Sequence, residues 1–255
     1  MIRLSILINC IFLYLSSQAQ TYQLFHGDTI NRRDKNGVKQ GLWRRYYSND
    51  TLLSESVFKD GMRTGSFKTY YKSGKLQSDL RFRPLTPNQI KLKTEVSDGV
   101  LYYENGKIEA KGKYIDRNKD SIWNYYDSDG ILTAMENYII GIKEGVWKVF
   151  YPPPGGKVSQ EITYKKGLKN GPYREYFEDG TKKTEAVMKN DEYDGLVTMF
   201  YPNGNIQMQG LYKNGSREGK WKVNKENGEA DHEDIFKNGN LMNPQPQKME
   251  KIEEK

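Results

Sequence analysis

A glycine or serine opens the same short pattern eight times along this chain, at Gly41, Gly65, Ser97, Ser121, Gly145, Gly171, Gly195 and Gly219, at intervals of 24, 32, 24, 24, 26, 24 and 24 residues. A period of this length means one supersecondary unit copied along an axis. Each copy is too small to bury its own apolar face and relies on its neighbours. The chain is therefore a repeat array, and what it does is to be sought on an extended surface rather than in a catalytic pocket.

Two residues after the opening position stand Trp43, Phe67, Trp123, Trp147, Tyr173, Val197 and Trp221, with Gly99 as the exception. Three residues further on come Tyr46, Tyr70, Tyr102, Tyr126, Phe150, Tyr176 and Phe200, with Asn224 in the last copy. A turn follows, as in Lys72-Ser73-Gly74 or Pro202-Asn203-Gly204, where glycine supplies the positive φ of a tight reversal. Beyond it sit aliphatic residues such as Leu76, Ile108, Leu132 and Ile206, and then Phe58, Phe82, Tyr114, Tyr138, Tyr164, Met188, Tyr212 and Phe236. Aromatic and branched residues around a turn spell strand, turn, strand. A second turn, as in Gly61 to Gly65 or Gly215 to Gly219, leads to the next copy, so each repeat is predicted to be a β-hairpin.

Charge supports the register. If the residues flanking the turn oppose each other, Arg44 faces Glu55, Lys68 faces Asp79, Arg174 faces Glu185, Lys222 faces Glu233, and Lys148 faces Glu161 once the longer Pro152 to Gly156 turn is allowed for. Neutral Asn124 and Thr198 face neutral Met135 and Gln209, and only Val100 opposite Lys111 breaks the rule. Opposite charges across neighbouring strands contribute a few tenths to about 1 kcal/mol. This pairing also argues against nucleic acid as a partner, because cations among aromatics, as in Trp43-Arg44-Arg45-Tyr46-Tyr47, already face carboxylates.

The N-terminus reads as a secretory signal over residues 1–19: Arg3, an apolar stretch from Leu4 to Leu15, and a small-x-small site at Ser17-Gln18-Ala19. That stretch is shorter than the roughly 20 residues of a spanning helix. Cys10, the only cysteine, would leave with it, so the exported chain would need neither disulfides nor a reducing compartment. Export to a periplasm, outer envelope or medium is the expected localisation. The formal charge of +7 arises from 40 Lys and Arg against 33 acids, a mixed surface that does not by itself imply a polyanion. Four segments are expected: the signal, a lead-in and N-terminal cap over 20–40, the hairpin array over 41–239 with an insertion near 83–96, and a charged disordered tail over 240–255.

No chemistry stands out. His26 and His232 lie far apart, and in Asp231-His232-Glu233-Asp234 alternate strand residues point to opposite faces, which argues against one metal site. No thiol nucleophile, phosphate-cradling glycine loop or nucleophile elbow is present in the exported part. No catalytic, metal-ligating or cofactor-binding residues are assigned, and the expectation is a protein that is not an enzyme and carries no cofactor.

The pattern Gly-x-Trp-x-x-Tyr-Tyr-x-x-Gly-x-Leu, nearly whole in Gly65 to Leu76 and Gly195 to Ile206, resembles the MORN repeat, in particular the bacterial variant of proteins labelled YwqK-family antitoxins. The lead-in around Asp28-Thr29-Ile30-Asn31 is similar to exported members of that group. The resemblance implies an all-β, elongated, single-layer antiparallel sheet of about eight tandem hairpins acting as scaffold, protein-binding module or peripheral membrane contact. The expected partner is a protein, with Tyr102, Tyr103 and Tyr151, beside the interruptions of the array, as candidate contacts. Two alternatives remain open: binding to anionic lipid through Arg32, Arg33, Lys35 and Lys39, and an unrecognised envelope hydrolase.

Overall fold

A computed structural model describes residues 20–25, 27–84, 86–92, 94–154 and 156–243. Residues 1–19, read above as a secretory signal, His26 and the tail from 244 lie outside the described residues. The lead-in forms strands β1 (Thr21–Phe25) and β2 (Asp28–Arg33). The first four hairpins pair β3 (Lys39–Tyr46) with β4 (Leu52–Lys59), β5 (Met62–Tyr70) with β6 (Leu76–Phe82), β7 (Val96–Tyr102) with β8 (Ile108–Ile115), and β9 (Asn118–Tyr126) with β10 (Leu132–Ile139). After β11 (Ile142–Lys143), the fifth pairs β12 (Gly145–Phe150) with β13 (Val158–Lys165), and the sixth β14 (Leu168–Tyr176) with β15 (Lys182–Lys189). After β16 (Glu192–Tyr193) come β17 (Gly195–Phe200) with β18 (Ile206–Lys213), then β19 (Ser216–Asn224) with β20 (Ala230–Lys237), and β21 (Asn240–Leu241). Successive strands pair antiparallel from end to end, which makes one open sheet of eight consecutive hairpins.

Two kinds of turn alternate. At the outer end of each hairpin a turn such as Tyr71 to Gly74 closes with Gly74 N–H donating to Tyr71 O at 2.8 Å, and Gly74 takes φ 85°. Between hairpins, pairs such as Asp60-Gly61, Asn214-Gly215 and Asn238-Gly239 have positive φ at both residues, the two-residue reversal whose twist matches that of the flanking strands. The opening residue of a typical repeat is a bulge: the register slips between Ser56 and Val57 where Gly65 sits at φ 70°. Ser121 occupies the same conformation at φ 60°. The β6–β7 pairing, from Ser78↔Leu101 to Phe82↔Ser97, carries no bulge, because the insertion has replaced the tight inter-hairpin turn. That insertion is not purely loop: Pro87–Leu92 forms a short helix, α1.

All eight cross-strand pairs expected from charge and neutrality are present in the register. Two ion pairs are a correction. Glu233 is held by Lys220 at 3.1 Å rather than by Lys222, and Asp79 by Arg81 at 3.2 Å rather than by Lys68. Long side chains on a pleated surface reach a diagonal neighbour, as Lys220 does, or the next residue on the same face of their own strand, as Arg81 does, so register does not dictate the ion pair. Arg44, Lys148 and Arg174 do meet Glu55, Glu161 and Glu185, at 3.5, 3.1 and 3.0 Å. The C-terminal boundary is also corrected, since Asn240–Leu241 pairs with Phe236–Lys237 and extends the array beyond 239.

The core is a single aromatic face. Trp43, Ser56, Phe67, Leu80, Gly99 and Gly112 lie in one cross-strand row, and the row continues through Trp123, Glu136, Trp147, Ile162, Tyr173, Ala186, Val197, Gly210 and Trp221, with Glu136 bonded to the Tyr138 hydroxyl at 2.6 Å. Rings meet along it, Trp147 with Tyr164 at 4.7 Å and Tyr212 with Trp221 at 5.3 Å between centroids. Large residues on one strand sit over small ones on the next: a Cβ added to Gly210 would stand 2.2 Å from the Trp221 ring, and one on Gly112 would stand 2.5 Å from Trp123. The same rule explains the missing aromatic of the third repeat. A Cβ at Gly99 would meet the Tyr114 ring at 2.7 Å, so Tyr114 already fills that place.

Candidate binding surfaces

The side chains of β-strands alternate between faces, so the residue before each core aromatic points away from the core. In the fourth to eighth hairpins this opposite row reads Ile122, Asn137, Val146, Thr163, Pro172, Val187, Leu196, Leu211, Lys220 and Ile235, by register Ile122↔Asn137, Val146↔Thr163, Pro172↔Val187, Leu196↔Leu211 and Lys220↔Ile235. Its six aliphatic members other than proline are 41% to 53% exposed. Ten strands at about 4.8 Å spacing make this a stripe of roughly 40 Å. Ile139 and Ile142, paired with each other and also exposed, widen it towards the inter-hairpin turn.

In the first hairpin the equivalent pair, Leu42↔Val57, is again aliphatic, but the polar pairs Ser66↔Arg81 and Asp98↔Lys113 of the second and third separate it from the stripe, which is continuous only from the fourth hairpin onward. Beside the stripe, on the same face, runs a ladder of charge. Lys148 meets Glu161, Glu161 meets Arg174 at 3.6 Å, Arg174 meets Glu185, and Glu185 meets Lys182 at 3.1 Å. The Arg174 and Lys182 hydrogen bonds hold the Glu185 carboxyl below the ordinary glutamate value against a smaller burial effect. Glu161 is also held low: burial acts against it, and the bonds from Lys148 and Tyr176 prevail.

The three candidate contact tyrosines occupy a different setting. Tyr103 donates its hydroxyl to Tyr126 O at 2.8 Å, Tyr151 to Tyr176 O at 2.6 Å, and Tyr102 offers its carbonyl to the Tyr71 hydroxyl at 2.7 Å. Tyr47 and Tyr201 do the same towards Tyr70 and Asn224. The second tyrosine of the pattern is thus a clasp between hairpins, and each of the three candidates is half-buried in that role. The other edge has its own ladder, in which turn N–H groups such as Gly141 and Gly239 donate to Lys119 O at 2.7 Å and Arg217 O at 2.9 Å of the preceding hairpin.

Other sequence candidates are accounted for separately. The His232 ring nitrogens stand 2.9 Å from Asp231 and 3.5 Å from Asp234, and no group of three or more His, Cys, Asp and Glu converges among the described residues. Arg33 donates to Gly37 O, and Lys39 lies 4.4 Å from the Trp43 ring. This cation over the core aromatic recurs at Lys143 over Trp147 (4.4 Å) and Arg217 over Trp221 (4.7 Å). Its signal is in the sequence as a basic residue four positions before the tryptophan. The aliphatic stripe was equally visible as a branched residue one position before it.

At the N-terminal end, Asn31 lies against the edge of β3. Its amide accepts from Arg44 N–H at 2.9 Å and donates to Arg44 O at 3.1 Å, completing the backbone bonding of the exposed edge of β3 as a paired strand would. Ile30 is fully buried beside it, and Phe25 stacks on Tyr46 at 4.1 Å.

Five segments of the chain, 39–60, 63–83, 99–116, 169–190 and 193–214, match the family model described as the MORN repeat variant. They coincide with the first, second, third, sixth and seventh hairpins, and the remaining three share their turns and core row. The match supports the MORN-repeat resemblance. No curated protein matches the chain. Among solved structures, the crystal structure of a protein with unknown function from Bacteroides fragilis NCTC 9343 is similar over 77% of this chain and 93% of its own, at 6% identity and a TM-score of 0.13. A likeness at that score carries no argument.

Proposed function

We propose that this chain is an exported, non-enzymatic repeat scaffold that binds a protein partner across the aliphatic stripe of its fourth to eighth hairpins. The observation that supports this reading is the stripe itself: Ile122, Val146, Val187, Leu196, Leu211 and Ile235 remain exposed on a sheet whose other face already supplies the core. Contiguous exposed apolar surface rimmed by charge is characteristic of protein interfaces. The adjoining ladder from Lys148 to Glu185 would set orientation more than affinity. MORN repeats generally serve as scaffolds, and the family is not an enzyme family. In the finer, antitoxin-like form of this reading the partner is a toxic protein neutralised by surface complementarity outside the cytoplasm, as the N-terminal signal pattern requires.

The test is a crosslinked pull-down from envelope extract at low and at physiological salt, comparing the wild type with a Leu196→Glu/Leu211→Glu variant. One dominant protein retained at both salt levels and released by the double variant is the expected result. Retention that ignores the variant, or lipid alone that washes off as salt rises, would overturn the reading.

A further inference from the structure

On the core-side face of the first three hairpins, opposite in direction to the aliphatic stripe, lies a cleft that the scaffold role does not use. A cavity of about 490 Å³ is lined by Arg45, Arg63, Arg117, Phe67, Phe82 and Tyr114 among others. A smaller one of about 120 Å³ adjoins it, sharing Arg45, Arg63 and Phe67 and adding Lys39, Trp43 and Ser56. The combined volume is within the range of small-molecule sites.

Its cations are poorly compensated. Glu95, at the end of the insertion, binds Arg63 at 2.9 Å and holds its guanidinium 5.1 Å from Phe67 and 5.4 Å from Phe58. Lys39, Arg45 and Arg117 form no ion pair among the described residues. Glu55 turns to the opposite face, to Arg44 and to the Tyr70 hydroxyl at 3.0 Å. Burial first, and then the charges of Arg33, Arg63, Arg45 and Arg117, lower the Lys39 pKa, so these cations share one field.

Comparison with the other repeats shows how unusual the cleft is. The indoles of Trp123, Trp147 and Trp221 donate to Lys113 O, Asn137 O and Leu211 O at 3.0, 2.9 and 3.2 Å. The buried indole nitrogen of Trp43 has no acceptor, and neither the Ser56 hydroxyl, on a residue 5% exposed, nor Arg63 Nε has a partner. A buried donor left unpaired costs about 1–3 kcal/mol. Arg117 is the second anomaly. It stands at φ 68° in a two-residue turn whose second position is glycine in five of the seven copies. A long side chain in that conformation costs about 1–2 kcal/mol, and such strain concentrates at functional sites.

We infer that this cleft binds a phosphate monoester carried on a flat aromatic body, with Arg45, Arg117 and Lys39 on the phosphate, the Trp43 and Ser56 donors at its inner end, and the ring against Phe67, Leu80, Phe82 and Tyr114. Guanidinium forks match phosphate oxygens in pairs, and the surplus of positive charge suits a dianion better than a carboxylate. A soluble ester fits a cleft whose Arg63 side chain is only 19% exposed, where a flat membrane surface would not reach.

Isothermal titration calorimetry of the full chain tests this, using phenyl phosphate, inorganic phosphate, benzoate and vesicles of phosphatidylglycerol as probes. Saturable binding of phenyl phosphate at one site, tighter than inorganic phosphate and benzoate, is expected. Arg45→Gln and Arg117→Gly should each weaken it at least tenfold, while Lys225→Gln in the outer turn of the last hairpin, paired with Glu229, leaves it unchanged. Arg117→Gly restores the turn residue of the other repeats, so its loss of binding accompanied by an unchanged or higher melting temperature excludes unfolding as the cause. No saturable binding by the wild type, equal binding by the variants, or binding confined to vesicles would overturn the inference.

Discussion

The first three hairpins and the last five are built on one pattern yet treat their two faces in opposite ways. In the C-terminal part the core row is closed: Trp221 is fully buried over Gly210 with its indole bonded to Leu211 O, and apolar surface appears on the outer face. In the N-terminal part the outer face has one aliphatic pair, Leu42↔Val57, and is polar beyond it at Ser66, Arg81, Asp98 and Lys113, while the core row opens into a cationic cleft beside Trp43. Because every hairpin relies on its neighbours for closure, one interruption matters. The insertion removes a bulge and a tight turn, and in return delivers Glu95 to Arg63. A regular repeat makes a smooth face suited to a macromolecule, and a broken one makes a concavity.

Overpacking the closed half should have the largest effect. Gly210→Val drives a branched side chain into the Trp221 ring and should cost about 3 kcal/mol, read as a lower urea midpoint. The tryptophans then separate the halves directly. Trp221→Phe leaves Leu211 O without its donor and a gap in the core, for a loss of about 2 kcal/mol. Trp43→Phe removes a donor that has no acceptor and should be close to neutral; equal losses at both sites would remove the distinction between a closed and an open core row. Arg117→Gly relieves positive-φ strain and should stabilise by about 1 kcal/mol. Tyr201→Phe breaks one hairpin clasp and should cost about 1 kcal/mol, visible as faster amide exchange in the last hairpin.

Acid should weaken the C-terminal ladder. Glu161 and Glu185 are held below the ordinary value of 4.5 in the folded chain. They therefore contribute stability above that pH, and the contribution is lost as pH falls through their lowered values. Melting temperature should decline on that acid limb, and the decline should flatten in Glu161→Gln/Glu185→Gln. Both groups are near the surface, so the effect is smaller than that of the core variants and is weakened by salt.

Much of the fold was legible because its determinants are local. Turn glycines, strand alternation and cross-strand charge are read within about a dozen residues, and from them the eight hairpins and all eight tested pairings follow. The choice of ion-pair partner was not legible, because Lys220 and Lys222 differ only in where a flexible side chain ends. Nor were the surfaces. The hydroxyls of Tyr103 and Tyr151 reach a carbonyl one hairpin away, a bond set by how neighbouring hairpins stack.

The sequence by itself determined the repeat unit and its register, since each depends on backbone conformation and on neighbours a turn apart. Only the tertiary structure decided which face closes over itself, that Trp43 lacks the acceptor its counterparts find, and that Arg45, Arg63 and Arg117 share a cleft. Those outcomes depend on packing between hairpins, where residues more than fifty positions apart meet, and a period of 24 residues carries no information about where the period is broken in space.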